Sequence, residues 1–309
     1  MYGAQTTTQN TISEIPSDSW IHLTNPTKAE FSELAKATGI DLALFFVPQP
    51  GDHLNHLLQE KSDDTPTLLI DTPMIHKTEE KNYEYSVLPL YILIDRHYFI
   101  TIAAEHTPFI EELWKTPDFA KAQDSFSYLA HLLYANEIRF VSYLQGISKT
   151  ITRLEPSIGK ATTNKELLHI LQLSKSLTYF STAIRSNGLV YESVSQKTYF
   201  EVDVFSRALV STVNANKQAA SLSSMQAEVI SNVTDIVAAI VSNNLNIVMK
   251  FLAAVTIIMG IPSIFSGLFG MNFPWLPFGD SVYGFLIVVG ISIVSSVLVA
   301  VIFWKKHMF

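Results

Sequence analysis

The pattern of apolar and polar residues changes character twice along the chain. Between residues 20 and 105 apolar residues come in short runs, at 42–47, 67–70, 87–94 and 98–103, each bounded by turn formers. Runs of that length predict strands rather than helices. The last two, joined across Asp95-Arg96-His97, predict a hairpin, while 28–38 and 52–60 predict helices packed on the sheet. Residues 20–116 are therefore expected to form a small α/β domain. The Thr- and Ser-rich tail before it, 1–19, lacks the basic-then-apolar order of a cleavable signal peptide.

After Thr116-Pro117-Asp118, a cap followed by a helix-starting proline, the period lengthens. Phe126, Leu129, Leu133, Phe140, Leu144, Ile147, Ile151 and Leu154 predict a long helix stopped at Glu155-Pro156. Thr163 and Glu166 predict a capping-box start for a second helix, stopped at Asn187-Gly188. Residues 117–188 thus read as an antiparallel helical hairpin. From 199 to 259 there is neither Pro nor Gly, and Val202, Phe205, Leu209, Leu222, Met225, Val229 and Val233 keep helical spacing. One helix is expected to run from a stalk at 189–248 straight into an apolar segment. Its length of roughly 100 Å, at 1.5 Å per residue, requires partners along it.

That apolar segment is the first of two. Neither 251–279 nor 281–304 contains Asp, Glu, Lys, Arg or His, and Asp280 stands alone between them. Each run exceeds the roughly 20 residues that cross ~30 Å of hydrocarbon. The spans are placed at 249–269 and 283–304, with a connection at 270–282 too short to fold by itself and a basic tail at 305–309. Lys250 flanks one end of the first span and Lys305 and Lys306 follow the second, so positive-inside asymmetry predicts a multi-pass protein of the plasma membrane with both termini cytoplasmic. Trp275 and Trp304 take interfacial positions.

Two helices cannot enclose a pore, so an ion path requires several copies around an axis. Read every seven residues, the first span gives Asp235, Ser242, Met249, Thr256, Ser263 and Gly270, with Asn246 a turn before Met249. Polar or small groups at that period would line an axis in a symmetric bundle, although small residues also let membrane helices approach closely. The ladder argues against the plainer alternative, a membrane-anchored sensor or scaffold that conducts nothing. Span two is mainly Ile, Val, Leu and Phe and suits the lipid bilayer.

The net charge is −7, and Lys250, Lys305, Lys306 and Asp280 are the only formal charges after residue 235. The acidity therefore belongs to the water-exposed part, which argues against nucleic acid as a partner and suits either contact with cations or ordinary solubilising charge. With no Cys there are no disulfides or thiolate metal sites. His53 and His56, three apart beside Asp52, have zinc-ligand spacing but no third strong ligand nearby. Neither a phosphate-binding loop nor a Ser/His/Asp constellation is present. An enzyme, a cofactor and an energy-coupled pump are accordingly not expected.

Gly270-Met271-Asn272, directly after the first of two C-terminal spans, resembles the signature of the CorA family of magnesium and divalent-cation transporters. The approach through Met249-Lys250-Phe251-Leu252, Ile261-Pro262-Ser263 and Gly267-Leu268-Phe269 is similar too. The resemblance implies a funnel-shaped homopentameric channel, with an α/β domain, a helical stalk and a pore lined by the first span. It implies that Gly270, Met271 and Asn272 form the ion entrance, with Asn272 holding a hydrated ion through its waters. It further implies that Asn246 forms an inner polar ring doing the same, and that Met249 and Leu252 form a hydrophobic gate. Thr256 and Ser263 then line the pore, and Asp235 a carboxylate ring at its cytoplasmic mouth. The expected cargo is Mg2+, with Co2+ or Ni2+ beside it; the zinc-transporting branch of the superfamily is the alternative. Two departures stand out. The loop after the motif is uncharged apart from Asp280, and Ser211, with Asp203 two turns earlier, stands where an acidic magnesium sensor would be sought.

Overall fold

The computed structural model describes residues 15–16, 18–40, 59–60, 66–77, 83–95, 97–117, 119, 122, 124–158, 164–196, 203–271, 277 and 282–306. It divides into two compact units, Met1–Val233 and Thr234–Phe309.

In the first unit, strands β1 (Ser19–Thr24), β2 (Gln59–Glu60), β3 (Pro66–Lys77), β4 (Tyr83–Ile94) and β5 (Tyr98–Ala103) form one sheet in the order β1-β5-β4-β3-β2. The predicted hairpin is β4–β5, antiparallel with Leu90 opposite Ala103 and Ile94 opposite Phe99; β1 pairs with β5 in parallel. Alternation along the strands divides the core. Trp20, Leu68, Ile70, Leu90, Ile92 and Phe99 share one buried cluster, while Ile21, Leu23, Leu69, Leu93, Ile100 and Ile102 share another. Because both faces are covered, residues 88–94 of β4 are all buried and read as a continuous apolar run.

Helix α1 (Lys28–Thr38) closes the second cluster with Leu34. Its N-terminus is held by a capping box of Thr27 and Glu30, and Gly39 ends it at φ +74°, a left-handed value that suits glycine. The first cluster is covered by α2 (Pro108–Trp114), α3 (Ser125–Ile158), α4 (Asn164–Ser195) and the start of α5 (Asp203–Phe269), through Phe109, Leu129, Leu133, Val190, Tyr191 and Phe205.

Several expectations need correction. Residues 59–60, expected to end a helix, form strand β2 against Thr67 and Pro66; 42–47, the rest of 52–60, Thr163 and the tail 1–14 lie outside the described residues. Helix α3 runs past Glu155 to Ile158, and Asn187-Gly188 does not stop α4, which continues to Ser195. Asn187 is not capping. Its side chain is engaged across the sheet interface, with Oδ1 accepting from Asp71 N at 2.8 Å and Nδ2 donating to Asp71 O at 2.9 Å. Gly188 serves close approach, since a Cβ there would lie 2.9 Å from Asn216 Oδ1 on α5. Helix α5 is one helix of 67 residues with Pro262 inside it. Within the first unit it buries Phe205, Leu209, Thr212, Ala215, Asn216, Ala219, Ser223, Gln226, Ile230 and Val233, the spacing of a helix packed along one side.

The second unit contains the remainder of α5 and α6 (Gly284–Lys305). Both helices contain a stretch long and apolar enough to cross a membrane, at mean hydropathy 2.1 and 2.9, with 6% of each stretch buried. Helix α6 is apolar all round, as a lipid-facing span is.

Candidate functional site

Turning about 100° per residue, α5 presents the predicted ladder as a stripe rather than a line. Taking Met249 as the reference, Ser242 and Thr256 lie within about 20° of it, Asp235 and Ser263 about 40° away, and Asn246, Leu252 and Gly270 about 60° away. A seven-residue repeat slips by roughly 20° per heptad on a straight helix, which is why Asp235 and Gly270 fall on opposite margins of the stripe. Met249 is 62% and Leu252 56% exposed, and Asp235, Asn246, Thr256, Ser263 and Gly270 are exposed as well.

The opposite side of α5 is the covered one. Ala254 is fully buried, and Val255, Ile258, Ile261, Phe265 and Phe269 are half-buried, all centred more than about 100° from Met249. The cover is α6. A cavity of about 720 Å³ near the end of α5 is lined by Pro262, Phe265 and Phe269 from α5 and by Gly284, Phe285 and Ser292 from α6. Among the described residues that line it, none is charged. Helix α6 thus faces the apolar back of α5 and leaves Met249, Leu252, Thr256, Ser263 and Gly267 of the stripe exposed, while Gly260 is half-buried and Gly270 lines the cavity.

Two residues of that stripe were missed by the ladder. Gly267 falls at the angle of Met249 and Gly260 about 20° from it. A Cβ on either would meet nothing within 4 Å, so neither glycine is required by packing inside this chain. Counting by helical angle instead of by sevens would have found both.

The chemistry of the stripe is mild. Thr256 Oγ1 donates its proton to Leu252 O at 2.8 Å, which leaves the hydroxyl facing outward as an acceptor only. Acceptors suit the outward-pointing hydrogens of an ion's water shell. Gly270 has a local cause: a Cβ there would stand 3.0 Å from the backbone oxygen of Ser266, which is fixed by accepting from Gly270 N at 2.9 Å. Met271 follows, 48% exposed. Asn272 and Asp280 lie outside the described residues, as do His53 and His56. Ser211 is exposed on α5, and Asp203 is the first residue of that helix. Among the described residues no group of three or more His, Cys, Asp or Glu is arranged to hold a metal.

Outside the stripe, the first unit has a buried polar cluster that the sequence did not reveal, around Glu137 of α3, with Asn187 and Tyr191 of α4 and Asn216 of α5. Burial pushes the Glu137 carboxyl up to about 7, against the opposing pull of its three hydrogen bonds.

The curated cobalt/magnesium transport protein CorA of Methanocaldococcus jannaschii is 24% identical over 297 residues, covering 93% of this chain and 90% of its own length. The complete structure of the CorA magnesium transporter from the same organism superposes at a TM-score of 0.76 with 22% identity, over 94% of this chain and 91% of that one. The full-length CmaX protein superposes at 0.68 with 14% identity, over 94% and 88%. These likenesses extend through both units and both apolar helices, so they concern the whole architecture and not the soluble unit alone. The profile of the CorA-like Mg2+ transporter protein family matches residues 18–306, from the first strand to the end of α6, and the chain belongs to that family.

Proposed function

We propose that this protein is a passive, gated channel that moves hydrated Mg2+, and with it Co2+ or Ni2+, down the electrochemical gradient across the plasma membrane. The observation that carries the reading is the division of α5 into an apolar back covered by α6 and an uncovered stripe of small and polar residues. Copies arranged around an axis with the stripe inward bring those residues together, and a homopentamer with cytoplasmic termini is the arrangement we infer. The magnesium and cobalt named for the archaeal relative agree with this choice of cargo.

The roles follow from ion chemistry. Mg2+ surrenders its waters reluctantly, so a ring of Asn272 side chains at the outer mouth offers neutral oxygens to the hydrated ion, in a turn shaped by Gly270 and Met271. Thr256 and Ser263 continue that lining, and Asn246 repeats the amide ring towards the inner end. Between them Met249 and Leu252 present apolar rings that close a narrow pore by excluding water. Asp235 and Asp280 supply carboxylates at the two mouths, each multiplied by the number of copies.

The test is ion flux into liposomes holding the purified protein, with Mg2+, Co2+, Ni2+ and Zn2+ offered separately, beside an Asn272→Ala variant. Gradient-driven Mg2+ entry that the substitution abolishes is expected. Zn2+ entry without Mg2+ entry would reassign the cargo, and no entry of any ion by folded wild type would overturn the channel.

A further inference from the structure

Glu137 is wholly buried near the middle of α3. Its Oε1 accepts from the Tyr191 hydroxyl at 2.6 Å and from Asn187 Nδ2 at 3.2 Å, both on α4; its Oε2 accepts from Asn216 Nδ2 of α5 at 3.1 Å. The same Asn216 nitrogen donates to Ile184 O at 2.8 Å, and Asn187 is bonded to both backbone atoms of Asp71 on β3. Asn136 Nδ2 joins at Asp71 O at 2.9 Å. One carboxyl group therefore ties three helices to the sheet, and the glycine at 188 gives Asn216 the room to reach it.

Every partner of Glu137 is a donor. A bound cation would face N–H and O–H groups, so the cluster is built around a carboxyl group and not around a metal. The titratable groups nearby are Tyr191 from α4 and Asp71 from β3, whose charge acts on the same tyrosine; α5 contributes only the uncharged Asn216 amide. Among the described residues no lysine, arginine or histidine balances the charge. An ionised carboxylate here is held by dipoles alone, away from water.

We propose that Glu137 is a proton-operated latch on α5. Uncharged, with its own proton donated to the Tyr191 hydroxyl oxygen, it lets α3, α4, α5 and the sheet stay packed; ionised, it drives them to loosen until water reaches the carboxylate. Two effects oppose one another, because the three hydrogen bonds favour the anion while burial penalises it. Burial is the larger, and the carboxyl sits at about 7, above its ordinary 4.5. The packed state therefore binds the proton more tightly than any hydrated state. Its advantage is complete below about 4.5 and is lost as pH rises through about 7. Helix α5 continues unbroken from Asn216 to Phe269, so the latch acts on the helix that carries the uncovered stripe. A pH dependence of ion flux follows only if the proposed function also holds, whereas the latch itself needs no ion.

Hydrogen exchange of the full-length protein in lipid nanodiscs reads the latch directly. Protection factors, which divide out the chemistry's own pH dependence, are compared for the amides of residues 212–219 between pH 6 and pH 8. A proton bound at about 7 when packed and 4.5 when hydrated predicts about a tenfold loss of protection over that interval. Glu137→Gln, which cannot ionise, should show a flat profile. Tyr191→Phe removes a donor that favours the anion, so its midpoint should move to higher pH. Flat protection in the wild type, an equal slope in Glu137→Gln, or an unmoved midpoint in Tyr191→Phe would each overturn the latch. Absence of ion flux would leave the exchange result standing and count against the channel alone.

Discussion

Neighbouring residues 187 and 188 do two different jobs that the sequence presents as one. An Asn-Gly pair at the end of an apolar period reads as a helix stop, because both residues tolerate the left-handed conformation. Here the amide of Asn187 is bonded to β3 and to Glu137, and Gly188 leaves room for the Asn216 side chain of α5. Gly188→Ala should therefore destabilise the protein even though alanine is the better helix former. The methyl group meets Asn216 Oδ1 at 2.9 Å, and Asn216 cannot swing away without leaving Ile184 O and Glu137. Overpacking of this kind costs about 1–3 kcal/mol, against a gain of about 1 kcal/mol in helix propensity. A lower thermal midpoint is expected, and an unchanged or higher one would show that Asn216 is not held. The buried cluster was not legible for a related reason: Glu137, Asn187, Tyr191 and Asn216 are up to 79 residues apart, and only the fold brings them together.

On the scale of single elements, α5 shows what periodicity can and cannot deliver. The long helix and the hairpin of β4 and β5 were legible, the first from helical spacing unbroken by Pro or Gly over 199–259 and the second from two apolar runs joined by a short turn. Strands β1 and β2 and helix α2 were not. At 2 and 7 residues β2 and α2 are too short for a period to declare itself; β1 is as long as β5, but His22 breaks up its apolar residues, and tertiary packing decides it. Gly260 and Gly267 escaped because a strict count of seven steps over them, while the helix turns at 3.6. If their face lines an axis, Gly267→Ala should leave stability equal or higher, by about 1 kcal/mol from helix propensity, while reducing flux by narrowing the path. Reduced flux together with a lost fold would instead place the glycine in packing. Met249→Ala tests the apolar barrier in the opposite direction, since a smaller ring should raise basal leak. Unchanged basal conductance would remove Met249 from the gate.

For the whole molecule, the distribution of exposed apolar residues states what a single chain lacks. Ile236, Val241 and Leu245 precede the segment expected to cross the membrane and are 54%, 42% and 61% exposed. They are spread around α5, so one packed neighbour cannot cover them all. Exposed apolar surface of this kind marks association, and the assembly proposed above would cover it with copies of the same chain while closing the stripe of Met249, Thr256 and Gly267 around an axis. Mass measurement of the detergent-solubilised protein should give a multiple of 34.5 kDa, five by the arrangement we infer. Val241→Glu places a charge where copies would meet and should shift that mass towards the single chain, with loss of flux. A wild-type protein that conducts as a single chain would contradict the axial path. A stable assembly that resists Val241→Glu would move the contact to another part of the helix, because a buried unpaired carboxylate is too costly for an interface to absorb.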